Sequence, residues 1–141
     1  MPGNPRAFER DTLIRFHHCD PAGIVFYPQY FVLFNELVED WFNDGLGIDF
    51  ARFHTEEHLG VPMARVECDF LAPSKVGDVL RFRLAVKRIG TTSFTLAVQA
   101  GKDGQVRVRA TLVLVLASLT AHRPVPITPE MGARLEGFVV E

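Results

Sequence analysis

The feature that most constrains the fold is a helix-forming segment whose apolar residues leave almost no polar face. It reads PQYFVLFNELVEDWFNDGLG over residues 28–47, and its large apolar residues recur at the three- and four-residue spacing of a helix. Val32 and Leu33 fill the remaining directions in its first half. Because a helix that is apolar nearly all round must be covered on most sides, the rest of the chain has to enclose it. Pro28 suits the first helical position, and Gly45 or Gly47 supplies the end.

The segments after this helix predict the strands that enclose it. A short helical stretch over about residues 49–58 is followed by VPMARVECDFLA, DVLRFRLAVKRI, TTSFTLAVQA and QVRVRATLVLVLASL, each with alternating or β-rich apolar residues. Short connections indicate antiparallel neighbours, with Lys102 and Asp103 at a hairpin tip. One earlier strand is predicted over residues 8–18, with Ile14, Phe16 and His18 on one face. This order predicts an α+β domain of the hotdog fold, a curved antiparallel sheet of about five strands around one long central helix.

Length, charge and cysteine content exclude several classes of protein. The 141 residues fit one domain over residues 1–141, with residues 1–7 as a frayed end and a short helix in the proline-containing tail. A net charge of −2 gives no basic excess, so nucleic acid is not expected as a partner. No stretch reaches the roughly 20 apolar residues of a membrane span and no secretory apolar region is found, so a cytoplasmic protein is expected. Cys19 and Cys68 are predicted to be free thiols.

An aspartate lies in a turn directly before the helix. Asp20 is followed by Pro-Ala-Gly, and the first amides of a helix lack acceptors and stabilise negative charge, so the helix start is a ready oxyanion site. Pro28 has no N–H, which leaves Tyr27, Gln29 and Tyr30 as candidate donors. From these residues alone two roles for Asp20 stay open: a catalytic carboxylate, or an acceptor of hydrogen bonds from its own turn.

The same stretch carries a family resemblance. DPAGIVFYPQY at residues 20–30 resembles the signature of the 4-hydroxybenzoyl-CoA thioesterase family of hotdog acyl-CoA thioesterases, and FLAPSKVGDVL at 70–80 and RIGTTSF at 88–94 extend the similarity. The resemblance implies hydrolysis of an aryl- or short-acyl-CoA thioester to the free acid and CoA, without a metal or redox cofactor. It implies that Asp20 is the catalytic carboxylate and that the Tyr27 backbone N–H polarises the thioester carbonyl. Whether Asp20 attacks the carbonyl carbon or deprotonates a water stays open.

Further residues are predicted to contact the substrate. His18 is a candidate wall of the pocket, with a hydrogen-bonded, half-buried histidine as the alternative. The aromatic residues at the helix start are more typical of core, yet they offer a slot that an aromatic acyl group would fit. Arg88 fits the family's basic pattern for the CoA phosphates, with the hydroxyls after it as polar contacts. The predicted substrate contacts are His18, Gly23, Phe26, Tyr30, Phe31, Asn35, Val61, Pro62, Arg88, Thr91, Thr92 and Ser93.

A metal site at His17, His18, Cys19 and Asp20 is not expected, because adjacent residues of a strand point to opposite faces.

The predicted fold leaves a sheet edge and one helix flank uncovered, and the strand TLVLVLASL is expected to be too apolar to stay bare. As in the family, a homodimer with a shared sheet is expected, and pairing of dimers into tetramers is left open. The strand over 61–71 of one chain, starting at Gly60-Val61-Pro62, would then face Asp20 of the other.

Two other functions stay open. One is a hotdog dehydratase acting on acyl-CoA or acyl-carrier substrates, with His17 or His18 and Glu36 as its trial catalytic set. The other is a non-catalytic acyl-CoA-binding module.

Overall fold

A computed structural model describes residues 6–140 as one long helix packed against an antiparallel sheet. The elements in chain order are β1 (Phe8–Leu13), a 3₁₀ turn (Phe16–His18), α1 (Tyr27–Asp40) with a π-helical extension (Trp41–Leu46), α2 (Phe50–Thr55), β2 (Leu59–Gly60), β3 (Met63–Phe70), β4 (Val79–Ile89), β5 (Ser93–Lys102), β6 (Gln105–Val115), β7 (Ala117–Ser118), β8 (Arg123–Pro124) and α3 (Pro129–Glu136).

Five strands form the main sheet in the order β1-β4-β5-β6-β3, all antiparallel to their neighbours. The predicted α+β architecture, with a curved five-stranded antiparallel sheet around one long helix, is confirmed. A second, small sheet of β2, β7 and β8 was not predicted from the sequence.

The core lies between α1 and the inner face of this sheet. Alternate residues of β5 and β6 point inward, and they are buried: Phe94, Leu96, Val98, Ala100, Val108, Ala110, Leu112 and Leu114. The helix contributes side chains at helical spacing, among them Leu33, Phe34 and Leu37, and Trp41 and Phe42 continue this face into the π-helical turn. Gly47 ends the helical segment in the left-handed region, with φ of 69°.

The sheet does not enclose the helix completely. Val32 is 46% exposed on one flank of α1, and Asn35 and Glu36 are exposed on that part of the helix. The strand TLVLVLASL, predicted to be too apolar to stay bare, lies mostly in β6 and is covered within the chain: β6 pairs with β5 on one side and β3 on the other, and Leu112 and Leu114 on its inner face are buried. The edge strands of the main sheet are β1, which pairs only with β4, and β3, which pairs only with β6.

Two local predictions were wrong in their boundaries. The first strand ends at Leu13, and the chain then turns through the 3₁₀ turn, so Ile14 is buried while Phe16 is 81% exposed. The β5–β6 hairpin tip is Asp103-Gly104 rather than Lys102-Asp103, since both of its residues have positive φ, 52° and 77°. A two-residue hairpin loop of type I′ needs that conformation at both positions, which Asp-Gly adopts readily and Lys does not.

Three further predictions concern the N-terminal end, the two cysteines and the location of the protein. Residues 1–5 of the predicted frayed end lie outside the described residues, whereas the Arg6 N–H donates to the Gly137 carbonyl at 3.0 Å. Cys19 and Cys68 are free thiols, as predicted. Of the helices within residues 6–140, none is long and apolar enough to cross a membrane. The cytoplasmic location stays a prediction.

Candidate active site

A tight loop joins the 3₁₀ turn to α1 and carries Asp20. The Asp20 N–H donates to the Ile24 carbonyl at 3.0 Å, and the Gly23 N–H donates to the Asp20 carbonyl at 2.9 Å. Gly23 has φ of 81°, and a Cβ there would meet open space, so backbone conformation rather than crowding favours glycine. At the base of the loop the Phe26 N–H donates to the His18 carbonyl at 2.9 Å. These bonds fix the loop beside the start of the helix.

The Asp20 carboxylate is partly buried and anchored through one oxygen. Its Oδ1 accepts a hydrogen bond from the Ala22 N–H at 2.9 Å, the turn-forming role that the sequence left open. Within residues 6–140, Oδ2 has no hydrogen-bond partner. The two roles are therefore compatible, because the bond to Ala22 orients the carboxylate and leaves its second oxygen available.

The Tyr27 N–H opens α1 without an acceptor. Pro28 has no N–H, and the Gln29 N–H donates to the Phe26 carbonyl at 2.8 Å. Among the described residues no acceptor lies within hydrogen-bonding distance and angle of the Tyr27 N–H. Since the N-terminal end of a helix carries partial positive charge, this free N–H is suited to bind a developing oxyanion.

His18 lies beneath the loop and supports the backbone there. Its ring is buried, and Nδ1 accepts a hydrogen bond from the Arg15 N–H at 2.8 Å, which places the proton of the neutral ring on Nε2. Burial, followed by the nearby charges of His17 and Arg15, holds the pKa of His18 below its usual value. This is the hydrogen-bonded histidine that the sequence left as the alternative to a pocket wall.

The trial catalytic set of the dehydratase alternative borders one shallow cleft. His17, His18 and Glu36 line a cleft of about 340 Å³ between the end of β1 and α1. No hydrogen bond or ion pair joins either histidine to Glu36 in the part of the chain that the structure describes. Within residues 6–140 no group of three or more His, Cys, Asp or Glu side chains is placed to hold a metal ion.

Phe70, which the sequence analysis missed, completes an aromatic wall beside the helix start. It is the last residue of β3, and its ring centroid lies 5.8 Å from that of Tyr27, 6.0 Å from Tyr30 and 6.4 Å from Phe31. Phe70 is 47% exposed, Tyr27 57% and Phe26 49%, so the wall is open to solvent in a single chain. Two-residue alternation from Val66 through Cys68 places Phe70 on the helix side, and that signal was present in the sequence.

Two other groups of predicted contacts lie away from this wall. Asn35 and Val61 line a groove of about 250 Å³ between α1 and the start of β3, and the Pro62 carbonyl nearby accepts from the Val115 N–H. Arg88 and Ser93 line a groove of about 570 Å³ on the outer face of the sheet, together with Arg65, Lys87 and Thr95.

The remaining predicted contacts, Thr91 and Thr92, make backbone bonds near the second groove. Their carbonyls accept from the Ile127 and Leu116 N–H groups at 2.8 and 2.7 Å.

The aromatic wall and the Arg88 groove are at opposite ends of the sheet. Phe70 pairs with Val108 at one end of β6, and Met63 pairs with Leu114 at the other. Six residues of strand separate the two pairs, about 20 Å. A single chain therefore does not bring all predicted contacts together.

Comparison with known proteins places this arrangement in a family. The model of the thioesterase-like superfamily matches residues 14–135. The chain belongs to the thioesterase-like superfamily. A 1,4-dihydroxy-2-naphthoyl-CoA hydrolase of Thermosynechococcus vestitus is 29% identical over 124 residues, which cover 87% of this chain and 84% of that protein.

Solved thioesterase structures share the fold. A gentisyl-coenzyme A thioesterase superimposes with a TM-score of 0.81 at 24% identity, covering 91% of this chain and 98% of that one. An aspartate-to-asparagine mutant of 4-hydroxybenzoyl-CoA thioesterase in complex with 4-hydroxybenzoyl-CoA gives 0.82 at 23% identity, covering 92% and 99%. The predicted hotdog fold is thereby confirmed, and the superfamily match together with the named hydrolase confirms the predicted family and enzyme class, an acyl-CoA thioesterase.

For a member of this superfamily the helix start offers the two groups that thioester hydrolysis needs. A thioester carbonyl requires a donor for the oxygen that becomes negative, and its carbon requires a nucleophile or an activated water. The Tyr27 N–H and Asp20 Oδ2 are unpaired within residues 6–140, and a short hydrogen-bonded loop connects them.

Proposed function

We propose that the protein hydrolyses an aryl-CoA thioester, with Asp20 as nucleophile or general base and the Tyr27 N–H as oxyanion donor. The observation that carries the proposal is the free N–H at the helix start, next to a loop that holds a carboxylate with one free oxygen. A short aliphatic acyl group is the alternative within the same reaction.

Two routes give the same products. In the first, Asp20 Oδ2 attacks the carbonyl carbon, the oxyanion accepts from the Tyr27 N–H, and the C–S bond breaks to release the CoA thiolate. Water then hydrolyses the mixed anhydride to the free acid and regenerates the carboxylate. In the second, Asp20 takes a proton from a water as the water attacks the carbonyl carbon, and the thiolate leaves from the tetrahedral intermediate. Both routes use the same donor for the oxyanion.

The aromatic wall favours an aromatic acyl group. Half-exposed rings of Phe26, Tyr27 and Phe70 stand next to the catalytic loop, and flat aromatic groups pack on such rings by edge or face. The three relatives compared above are named for 1,4-dihydroxy-2-naphthoyl, gentisyl and 4-hydroxybenzoyl groups, all aromatic. Both observations support an aryl-CoA as the substrate.

A homodimer through β3 would bring two of the separated groups of residues together. A two-fold axis across the free edge of β3 pairs this strand antiparallel with its copy, so the two strands run in opposite directions. The Met63 end of one chain, near its Arg88 groove, then lies beside the Phe70 end of the other. On the helix side of the shared sheet, the groove lined by Asn35 and Val61 of one chain would then border the site at Asp20 of the other, whereas the Arg88 groove stays on the outer face.

Release of the CoA thiol from a panel of aryl- and alkyl-CoAs tests the proposal. We expect Asp20→Asn to lower kcat by about 10²- to 10⁴-fold while the variant still binds the substrate. Asp103→Asn, at the exposed hairpin tip, is the matched control and should keep full activity.

The alternatives give other outcomes in the same assay. Hydrolysis that survives Asp20→Asn would refute the assigned role of Asp20. A dehydratase would be silenced by His17→Asn or Glu36→Gln, and a binding module would turn over no acyl-CoA even at millimolar concentration.

A further inference from the structure

A partly buried ion pair lies behind the catalytic loop. Arg107 Nη1 donates to the Pro73 carbonyl at 3.0 Å, to Ser74 Oγ at 3.1 Å and to Asp78 Oδ2 at 3.2 Å. The side chains of Arg107 and Asp78 are only 13% and 21% exposed, whereas the partners of the other ion pairs within residues 6–140 are at least 36% exposed. One guanidinium nitrogen thus joins three acceptors on the turn over residues 73–78.

That turn supports the loop carrying Asp20. The Val25 N–H donates to the Ser74 carbonyl at 2.9 Å, and the Val76 N–H donates to the Gly23 carbonyl at 3.1 Å. Ile24 and Lys75 form an antiparallel bridge between these two bonds. The loop is therefore paired with the turn like a short strand, and its position depends on the conformation of the turn.

The turn also reaches the first turn of α1. Ser74 is 1% exposed, and the buried Tyr30 hydroxyl lies next to it, although outside hydrogen-bond geometry. Tyr30 is three residues after Tyr27, so the turn touches both the loop with the carboxylate and the helix segment with the free N–H.

The strand geometry sets Arg107 apart from its neighbours. The register between β5 and β6 shifts between Ala100, which pairs with Val108, and Gly101, which pairs with Val106. Arg107 is the extra residue of this bulge, and a bulge redirects its side chain. Its Nε also donates to Gln105 Oε1 at 2.7 Å, which further fixes the guanidinium. Arg109, two residues on, pairs in register with Gln99 and is exposed.

We infer that Arg107 is a positioning residue: it holds the turn over residues 73–78 and thereby sets where Asp20 stands relative to the Tyr27 N–H. The inference rests on the proposed function, because it acts through Asp20. Small displacements of a catalytic group cost large factors in rate, since the reacting atoms must lie close together and aligned.

The test compares Arg107→Gln with Arg109→Gln, which removes the same charge from the same strand. We expect Arg107→Gln to lower kcat by about tenfold or more with a smaller change in KM, and Arg109→Gln to change neither. In an Asp20→Asn background the Arg107 substitution should lower the residual kcat no further, because the group that it positions is gone. Equal losses in both backgrounds, or no loss in either, would overturn the inference.

A second measurement does not depend on activity. Amide hydrogen exchange at Val25 and Val76 should become about tenfold faster in Arg107→Gln and stay unchanged in Arg109→Gln. Arg107→Lys, which keeps the charge but not the fork of donors, should give intermediate exchange and kcat, and it serves if the Gln variant fails to fold. If the wild-type protein released no CoA thiol, the proposed function would fail. Unchanged exchange at Val25 and Val76 in Arg107→Gln would instead refute the inference that Arg107 holds the turn over residues 73–78.

Discussion

At the scale of single residues, the buried His18 near the helix start is matched to a backbone partner. His18 is buried because the 3₁₀ turn places its Nδ1 opposite the Arg15 N–H, not because it alternates with Ile14 along a strand. The burial of the ring disfavours its charged form and so lowers the pKa of His18. His18 therefore links the stability of this region to pH.

We expect the protein to lose stability as the pH falls below about 6.5, the ordinary pKa of histidine. The fold lowers the pKa of His18, so the unfolded chain takes up a proton where the folded chain does not. The contribution is complete above pH 6.5 and is lost as the pH falls through the folded-state pKa. Urea unfolding midpoints at pH 7.5 and 5.5 measure this loss.

His18→Asn is the variant that isolates the effect, because its side-chain oxygen can still accept from the Arg15 N–H. The difference in unfolding midpoint between pH 7.5 and 5.5 should shrink in His18→Asn and largely persist in His17→Asn, because burial, the largest cause of the lowered pKa of His18, is unchanged there. A pH difference as large in His18→Asn as in the wild type would contradict the prediction.

At the scale of elements, close packing of aromatic rings at the end of the long helix requires a glycine at position 45. Gly45 lies in the π-helical turn, and a Cβ there would come within 2.7 Å of Trp41 Cδ1 and 3.2 Å of the Phe8 and Phe138 rings. From the sequence alone, Gly45 and Gly47 were equal candidates for the end of the helix. The structure separates them: Gly47 has the left-handed φ, and Gly45 makes room for three aromatic rings.

Gly45→Ala should destabilise the protein by about 1–3 kcal/mol, because the added methyl group overpacks the rings. Gly132→Ala is the matched comparison in α3, where the added Cβ meets only Ile127 Cγ2 at 3.9 Å. Removing a glycine from a helix there should stabilise by about 0.4–1 kcal/mol. Chemical denaturation of both variants checks the pair, and a stable Gly45→Ala protein would show that the turn can relax.

At the scale of the whole molecule, exposed apolar side chains lie along the free edge of β3 and on the flank of α1 beside it. The helix-facing side of β3 carries Val66 and Phe70, which are 39% and 47% exposed, and Val32 of α1 is 46% exposed. An exposed strand edge with apolar side chains favours pairing with another strand. These surfaces support the proposed homodimer.

Val66→Lys tests the dimer, since a charge on this face opposes burial against a second copy. Light scattering of the wild-type protein should give twice the 15.8 kDa mass of one chain, and Val66→Lys should give one chain with loss of thioester hydrolysis. Val79→Lys, at a residue that is 47% exposed near the opposite edge, should leave the mass unchanged. A monomeric wild-type enzyme with full activity would refute the shared site.

The sequence predicted the features that depend on the local geometry of a residue and its neighbours. Proline and glycine around Asp20 predict a turn, an apolar helix predicts enclosure, and alternation predicts strands, because each depends on local geometry. The predicted hairpin tip was wrong by one residue, because two adjacent residues with positive φ, Asp103 and Gly104, determine where the loop lies.

The sequence by itself determined the α+β class, the wrapped helix and the carboxylate before the helix start, since these follow from the spacing and chemistry of neighbouring residues. Only the tertiary structure decided that Phe70 joins the aromatic wall, that Arg107 rather than Arg109 binds the turn over residues 73–78, and that β3 lies at an edge of the main sheet. The physical reason is that these contacts depend on the register and burial of segments distant in the chain: the alternation over residues 66–70 gives the face on which Phe70 lies but not its neighbours on α1.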